Sequence, residues 1–411
     1  MKVGPGVRAM DTPGVGPLPA GTPIPELPYT SPPSVADTLV SLGRTEDVAF
    51  SSSGRRLAVA ALARNRIAVF DVGIASSRGD PPIVLTGGLE LSSRALQQPH
   101  GVGFVDDDTL IVTSRESGVA LFALPPGERD VRAHDVLPMA RWPSDGATLF
   151  NVPGSVSVVR ADGGECEILV CNNGGDTVTR HRLERHPGWV IRHSDVVLQR
   201  YLEIPDGVSV SRDRRWIAVS NHNTHSVLLY ENSPALNAET APDGVLRRVY
   251  YPHGLAFSVD GRYLFVADAG APCLHIYARD PDEWRGVRHP VATVRLMTDA
   301  IFWRGRHSPA QGGPKGLDVD AGSQVVVVTS ECQPLAFFGM RALLQHASAG
   351  CSAPEQRLLD TTYELTLLHE RHQMTRRVRE VIDGFQNSRS WRITAPLRHL
   401  TASWRRRRAL R

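Results

Sequence analysis

From about residue 36 the chain alternates short apolar runs with clusters of Gly, Asp, Asn and Ser. The apolar positions follow the period of two that marks strands, not the 3.6 spacing of helices. Six stretches repeat one order of features: EDVAFSSSGRRLAVAALARNRIAVFDV from Glu46, HGVGFVDDDTLIVTSRESGVALFAL from His100 and GSVSVVRADGGECEILVCNNGGDTVTRHRL from Gly154. The others are DGVSVSRDRRWIAVSNHNTHSVLLYE from Asp206, HGLAFSVDGRYLFVADAGAPCLHIYAR from His253 and KGLDVDAGSQVVVVTSECQPLAFFGM from Lys315. Each reads as a strand, a polar turn, a second and more apolar strand, a short loop and a third strand. Weaker runs such as VRAHDVLP, IRHSDVVLQ and VATVRLM supply a fourth strand.

The starts lie 54, 54, 52, 47 and 62 residues apart. Four strands recurring at this interval predict an all-β fold, a six-bladed β-propeller over residues 36–360. The 62-residue interval leaves room for a degenerate seventh blade. Ring closure needs a strand from one terminus, and either DTLVSLG or RLLDTTYEL could supply it. Residues 1–35, rich in Gly and Pro, predict a flexible or extended arm. Residues 361–386 predict an amphipathic helix: Leu367, Met374 and Val381 recur every seven residues, with Arg371 interrupting the stripe. That helix either self-associates or packs on the propeller.

PHGLAFSVDGRYLFVADAG, from Pro252, resembles an NHL-type or lactonase-type propeller repeat, and the likeness extends over all six stretches. The resemblance implies architecture more than activity, since such folds host hydrolases, lyases, isomerases and binding modules.

In a propeller blade the start of strand one and the end of strand two meet at the same mouth of the central channel. The first set is Glu46, His100, Gly154, Asp206, His253 and Lys315. The second is Ala61, Ser114, Asn172, Asn221, Asp268 and Thr329, followed by Arg115, Asn173, His222 and Ser330, and then by Glu116, Asn223 and Glu331. Repeat-equivalent positions holding Glu, His, Gly, Asp, His and Lys predict a polar-ligand site on the axis. The expected binding residues are Glu46, Ser114, Arg115, Asn172, Asp206, Asn221, His222, Asp268 and Glu331, with His100, His253 and Lys315 as catalytic candidates.

Carboxylate and imidazole together suit Zn or Mn, and a carboxylate-rich shell also admits Ca. The expected ligands of one divalent metal are Glu46, Asp206 and His253, with His100 beside them. The placement resembles gluconolactonase-type propellers, in which a first-blade Glu and later Asn or Asp residues hold an ion. Glu46 and Asp206 match that pattern, while His and Gly stand where the family has Asn. The plainer alternative is that these side chains satisfy backbone N–H groups and channel water. Lys315 has three readings: a contact for a sugar carboxylate or phosphate, an ion pair with Glu46, or an amine of lowered pKa. No GxSxG, P-loop or HExxH motif is present, and a Ser114–His100–Asp268 set is no better than chance.

Charge divides the chain. Lys2 and Lys315 are its only lysines among 46 basic residues. The tail, residues 387–411, carries eight Arg and no acid, and removing its +8 from the overall +3 leaves −5 on the rest. An acidic body gives nucleic acid no basic face, so nucleic acid is not an expected partner. SRSWRITAPLR in the tail is similar to a segment of bacterial cell-surface polysaccharide glycosyltransferases and methyltransferases. This implies a glycan-type ligand or a glycosyltransferase partner. Trp391, Ile393, Leu397, Leu400 and Trp404 among the arginines suit an anionic membrane surface or an acidic protein. Five cysteines without a CxxC pair, no apolar span and no leader-like apolar run together predict a cytoplasmic protein, peripheral at the inner face of a membrane. Two functions follow as expectations. One is a lactonase-like or esterase-like hydrolase, lyase or epimerase, and the other is a non-catalytic scaffold for a glycosyltransferase complex.

Overall fold

The structure is a computed structural model. It describes residues 22–349 apart from 78, 126–130, 145–147, 281–282 and 308–310, together with Gly384. Residues 1–21, RLLDTTYEL, the expected helix apart from Gly384, and the basic tail lie outside the described residues.

The described chain is a six-bladed β-propeller within one compact unit, Pro19–Gln356. The innermost strands are Thr45–Phe50, Pro99–Asp106, Pro153–Asp162, Pro205–Val210, Pro252–Phe257 and Pro314–Val319. Each neighbours the next, and the last neighbours the first, so the ring closes. Outward from each inner strand the blade continues as an antiparallel meander, four-stranded in blades 1–5 and three-stranded in blade 6. Among the described residues the 62-residue interval holds no seventh blade; a helix, Asp299–Gly305, occupies part of it.

Burial explains why the second strands are apolar on both faces. Along Trp216–Asn221, Trp216 and Ala218 pack toward blade 5, while Ile217 and Val219 pack toward blade 3. The same alternation along Arg56–Ala61 sends Leu57 and Val59 toward blade 6, and Ala58 and Ala60 toward blade 2. One apolar cluster therefore fills each of the six junctions between blades. A strand buried on two faces reads as a continuous hydrophobic run.

Three expectations change. DTLVSLG does not form a strand: residues 37–41 belong to the helix Pro33–Ser41, which buries Val35 and Leu39 one turn apart. Proline at the helix start and this i, i+4 spacing explain why helix prevails there. The described part of the arm, residues 22–35, packs against the ring. The Ile24 amide donates to the Arg295 carbonyl of blade 5, the Leu27 amide to the Phe337 carbonyl of blade 6, and Tyr29–Thr30 pairs with Ile83–Val84 of blade 1. This N-terminal segment straps the closing junction from outside. Finally, Arg132–Asp135 of VRAHDVLP adds in parallel to the outer strand of blade 1, and Ala140–Trp142 is the fourth strand of blade 2. Gly286–Arg288 adds to the outer strand of blade 4 in the same way. Covering an exposed strand edge with a passing segment prevents pairing with other chains.

Candidate functional site

The site is built by a bulge repeated in every blade. Strand pairing slips just after the first residue of each inner strand, in the Pro-x-Gly segment of blades 2, 4, 5 and 6 and its counterparts in blades 1 and 3. The inner strands crowd there. A methyl group on Gly207 would strike the His253 carbonyl, one on Gly254 the Lys315 carbonyl, and one on Gly316 the backbone of Asp47. Only glycine allows this approach. The Gly101, Gly207 and Gly316 amides donate to the hydroxyls of Thr113, Ser220 and Thr329 at 2.9, 2.7 and 3.0 Å. The residue before each glycine is thereby fixed at the channel mouth.

A second ring follows from the approach loops. The amides of Arg115, Asn173 and His222 donate to the carbonyls of Gln98, Val152 and Ile204, each directly before an inner-strand proline. Gln98, Val152 and Ile204 have φ of 54°, 48° and 52°. Two of these are β-branched residues in the left-handed region, a strain of about 1–3 kcal/mol each that sits beside the site.

Glu46, His100, Asp206, His222, His253 and Lys315 meet in one cluster, each no more than 3% exposed. Lys315 Nζ lies 3.0 Å from Glu46 Oε1 and 3.1 Å from Glu331 Oε2, and Arg44 ion-pairs with the same two carboxylates. Of the three readings of Lys315, the geometry fits the ion pair. His253 stands between two acids: its Nε2 is 3.2 Å from Glu46 Oε2 and its Nδ1 is 3.1 Å from Asp206 Oδ2. His100 Nε2 accepts from Arg115 Nη2 at 2.8 Å and stacks on His253 with ring centroids 5.5 Å apart. His222 Nε2 is 3.5 Å from Asp206 Oδ2, and its ring lies against Tyr251. Where Gly154 leaves blade 3 without a ring side chain, Asn173 reaches in and donates to Asp206 Oδ1 at 3.0 Å.

Electrostatics sort these groups. Burial opposes the charge of Glu46, but Lys315 and the two histidines beside it hold its carboxyl well below the usual range. Asp206 is likewise held down against burial, with His253 as the largest opposing influence. Burial pushes His100 down to about 3, and Arg115 adds to the effect. Burial also lowers His222, partly offset by Asp206. The carboxylates of Glu46, Asp206 and Glu331 are matched by Arg44, Arg115 and Lys315. Two triads could hold a metal ion: Glu46, His100 and His253, and Asp206, His222 and His253. Of the expected metal set, Glu46 and Asp206 thus belong to different triads, joined by His253.

Other expected binding residues are committed elsewhere. Asn172 Oδ1 accepts the Asn151 amide, and Asn221 Oδ1 accepts the Glu203 amide. Asp268 accepts the amides of Tyr250, Tyr251 and Gly270 and faces His275 Nε2 at 2.9 Å. These three side chains hold approach loops, which satisfies buried backbone donors. Ser114 is buried opposite Pro99 at the matching strand end. In blade 6 the residue opposite the inner-strand proline is Ser330, so the equivalent of Asn172 is Ser330 and not Thr329. Glu331 consequently matches Arg115, Asn173 and His222. Arg44 was missed by sequence reasoning, although it occupies the place held by Gln98, Val152 and Ile204 before the inner strands. Asn173, noted in the second ring but left out of the binding set, joins the cluster because Gly154 vacates its path.

Beyond this mouth the inner strands line a half-open cavity of about 440 Å³, bordered by Asp47, Phe50, Phe104, Val158, Val210 and Asp318 among others. No helix among the described residues is long and apolar enough to cross a membrane. Cys166, Cys171, Cys273 and Cys332 are free thiols.

No family model matches the chain, and no curated protein matches it. Among solved structures, a functionally unknown protein from Desulfotomaculum acetoxidans DSM 771 is 12% identical, with a TM-score of 0.43, over 72% of this chain and 83% of that one. The β-propeller domain of Cps50 (Swd1) from Myceliophteria thermophila has the same identity, coverage and TM-score. The strand order and closed ring of the chain itself define it as a six-bladed β-propeller.

Proposed function

We propose that the protein binds a small anionic polar ligand of the sugar-acid class at this channel mouth, with a divalent metal at the ring as part of the site. The observation that carries the reading is a set of buried polar atoms without hydrogen-bond partners. Glu46 Oε2, His100 Nδ1, Asn173 Oδ1, Asp206 Oδ2, His222 Nε2 and Arg115 Nε all belong to the one cluster, and a neutral His253 can donate to only one of the two carboxylate oxygens it faces. A buried polar atom left unpaired costs about 1–3 kcal/mol, so several in one place argue for a further partner. The ring itself is too enclosed for a sugar, which would rest above it against Arg115, whose side chain is 27% exposed. A guanidinium there suits a carboxylate. The glycan class draws support from the tail segment SRSWRITAPLR.

A second reading, metal-assisted hydrolysis or a lyase or epimerase step, is favoured by the two histidine–carboxylate triads. His100 is the weaker candidate for its general base. Proton transfer is efficient when the group's pKa lies near the working pH, and His100 lies near 3. Lys315, donating to two carboxylates, is no free nucleophile.

Calorimetric titration with uronic acids and their parent neutral sugars tests the binding reading. Uronic acids are expected to bind more tightly than neutral sugars, and Arg115→Ala to weaken the acids roughly tenfold or more, the scale of one charge-assisted contact. Equal affinities for acids and neutral sugars, or an unaffected Arg115→Ala protein, would overturn it.

A further inference from the structure

His253 presents a problem that one imidazole cannot resolve with a single proton. Both ring nitrogens face carboxylate oxygens, Nε2 toward Glu46 at 3.2 Å and Nδ1 toward Asp206 at 3.1 Å. A neutral ring carries one N–H. Whichever nitrogen lacks it turns a lone pair toward an anionic oxygen, and a cation between them removes that repulsion.

The surroundings of the two contacts differ. On the Glu46 side, Lys315 ion-pairs with the carboxylate and Arg115 occupies the lone pair of His100 Nε2. Each side carries an unpartnered carboxylate oxygen, Glu46 Oε2 or Asp206 Oδ2, but of the two outer imidazole nitrogens only His222 Nε2 is left without a hydrogen-bond partner. Asp206 Oδ2 lies 3.5 Å from His222 Nε2 and 3.1 Å from His253 Nδ1. Ligand atoms about 2.0–2.1 Å from a tetrahedral ion are roughly 3.4 Å apart, which these distances bracket.

We infer that Asp206 Oδ2, His222 Nε2 and His253 Nδ1 form a divalent transition-metal site, with Glu46 as the outer carboxylate that accepts the His253 Nε2 proton. Two imidazoles and one carboxylate suit Zn²⁺ and related first-row ions, not Ca²⁺, which takes six or more oxygens. Glu46 then acts as a positioning residue: it selects the tautomer that leaves Nδ1 free, as outer carboxylates do for metal-bound histidines. Lys315 holds Glu46 in place and tempers its charge. Three protein ligands leave a fourth position for the ligand, so the inference deepens the sugar-acid reading and rests on it for the identity of that ligand.

The test uses full-length protein, stripped with chelator and reloaded with Zn²⁺ alone. About one zinc per chain is expected. With ¹⁵N-labelled histidine in the wild-type protein, one metal-bound nitrogen should be an Nδ1 and the other an Nε2. This readout needs no variant. His222→Gln, checked for folding by circular dichroism, should weaken zinc by more than about 100-fold, Glu46→Gln by roughly 10–100-fold, and His100→Gln by less than about threefold. Two Nε2 ligands, or zinc lost in His100→Gln but kept in His222→Gln, would move the ion to the Glu46 triad and overturn the inference. A His253 ring protonated on both nitrogens in protein that takes up no zinc would also overturn it. Uronic-acid binding by such zinc-free protein would sink the metal, here and in the proposed function, and leave the sugar-acid ligand standing. Stoichiometric zinc without uronic-acid binding would instead sink the ligand reading.

Discussion

Replacing Lys315 by Met isolates the energetic role of the only lysine in the propeller. The thioether keeps most of the stem's length and removes the charge. In the folded protein the ammonium and Glu46 are fully buried, and Glu331 is 10% exposed. The variant leaves Glu46 with Arg44, whose side chain is 29% exposed, as its one fixed cation. Breaking a buried pair from one side costs about 3–5 kcal/mol, because the remaining charge stays desolvated. Unfolding entropy of about 2.1 cal/mol/K per residue over roughly 330 ordered residues turns this into a fall in Tm of about 4–7 °C. Thermal melts and urea unfolding of chelator-treated protein would measure it. Adding Glu46→Gln to Lys315→Met removes the stranded charge while Arg44 keeps Glu331 at 3.4 Å, so the double variant is expected to recover at least half of the loss. A Lys315→Met protein within about 1 kcal/mol of wild type, or a double variant no better than the single, would refute the argument that burial makes this pair strong.

Gly254→Ala should lower stability by about 1–3 kcal/mol in denaturant unfolding, since its methyl group has no room beside the Lys315 carbonyl; a neutral effect would mean the inner strands are less tightly held than described. Asp318, which accepts the Phe50 and Val319 amides, is pushed up to about 6 by burial. A carboxyl raised in the folded state stabilises fully below its unfolded pKa and loses that contribution as pH rises through its folded value, so the share of stability due to Asp318 should fall between about pH 4 and pH 6, while buried His100 and His181, lowered to about 3, act in the opposite direction. In paired pH series of melts, the stability of wild type relative to Asp318→Asn should fall by roughly 2–3 kcal/mol between about pH 4 and pH 6, and a constant difference would refute the raised carboxyl. Deleting residues 387–411 should release the protein from vesicles containing anionic lipid in a sedimentation assay, and undiminished binding would end the membrane reading of the Trp- and Arg-rich tail.

The blades and most of the mouth were legible because they repeat. Period-two apolar runs at intervals near 50 residues mark strands buried on both faces, and Pro-x-Gly marks the bulge where inner strands crowd together. Counting from those glycines places Glu46, His100, Asp206, His253 and Lys315 on one ring, and the residues that follow strand two on a second ring. Such local patterns are carried by neighbours within a few residues, so the amino-acid sequence alone determined the propeller and the chemical types at its mouth, while the count of six was closed by the structure of the 62-residue interval.

Where side chains point was decided only in three dimensions. Asn172, Asn221 and Asp268 turn to backbone amides because the approach loops of their own blades would otherwise leave buried donors unpaired. Thr329 serves the Gly316 bulge, and Ser330 takes the ring-equivalent place, because strand pairing and not letter alignment sets the register. The arm straps three blades, and VRAHDVLP adds to blade 1, because exposed strand edges near in space accept whatever segment passes. Lys315 meets Glu46 across 269 residues of chain, a contact made by ring closure. The propensities that name a strand are local, whereas the partners that orient a buried charge arrive from other blades. Tertiary structure alone therefore decided which nitrogen of His253 faces which acid.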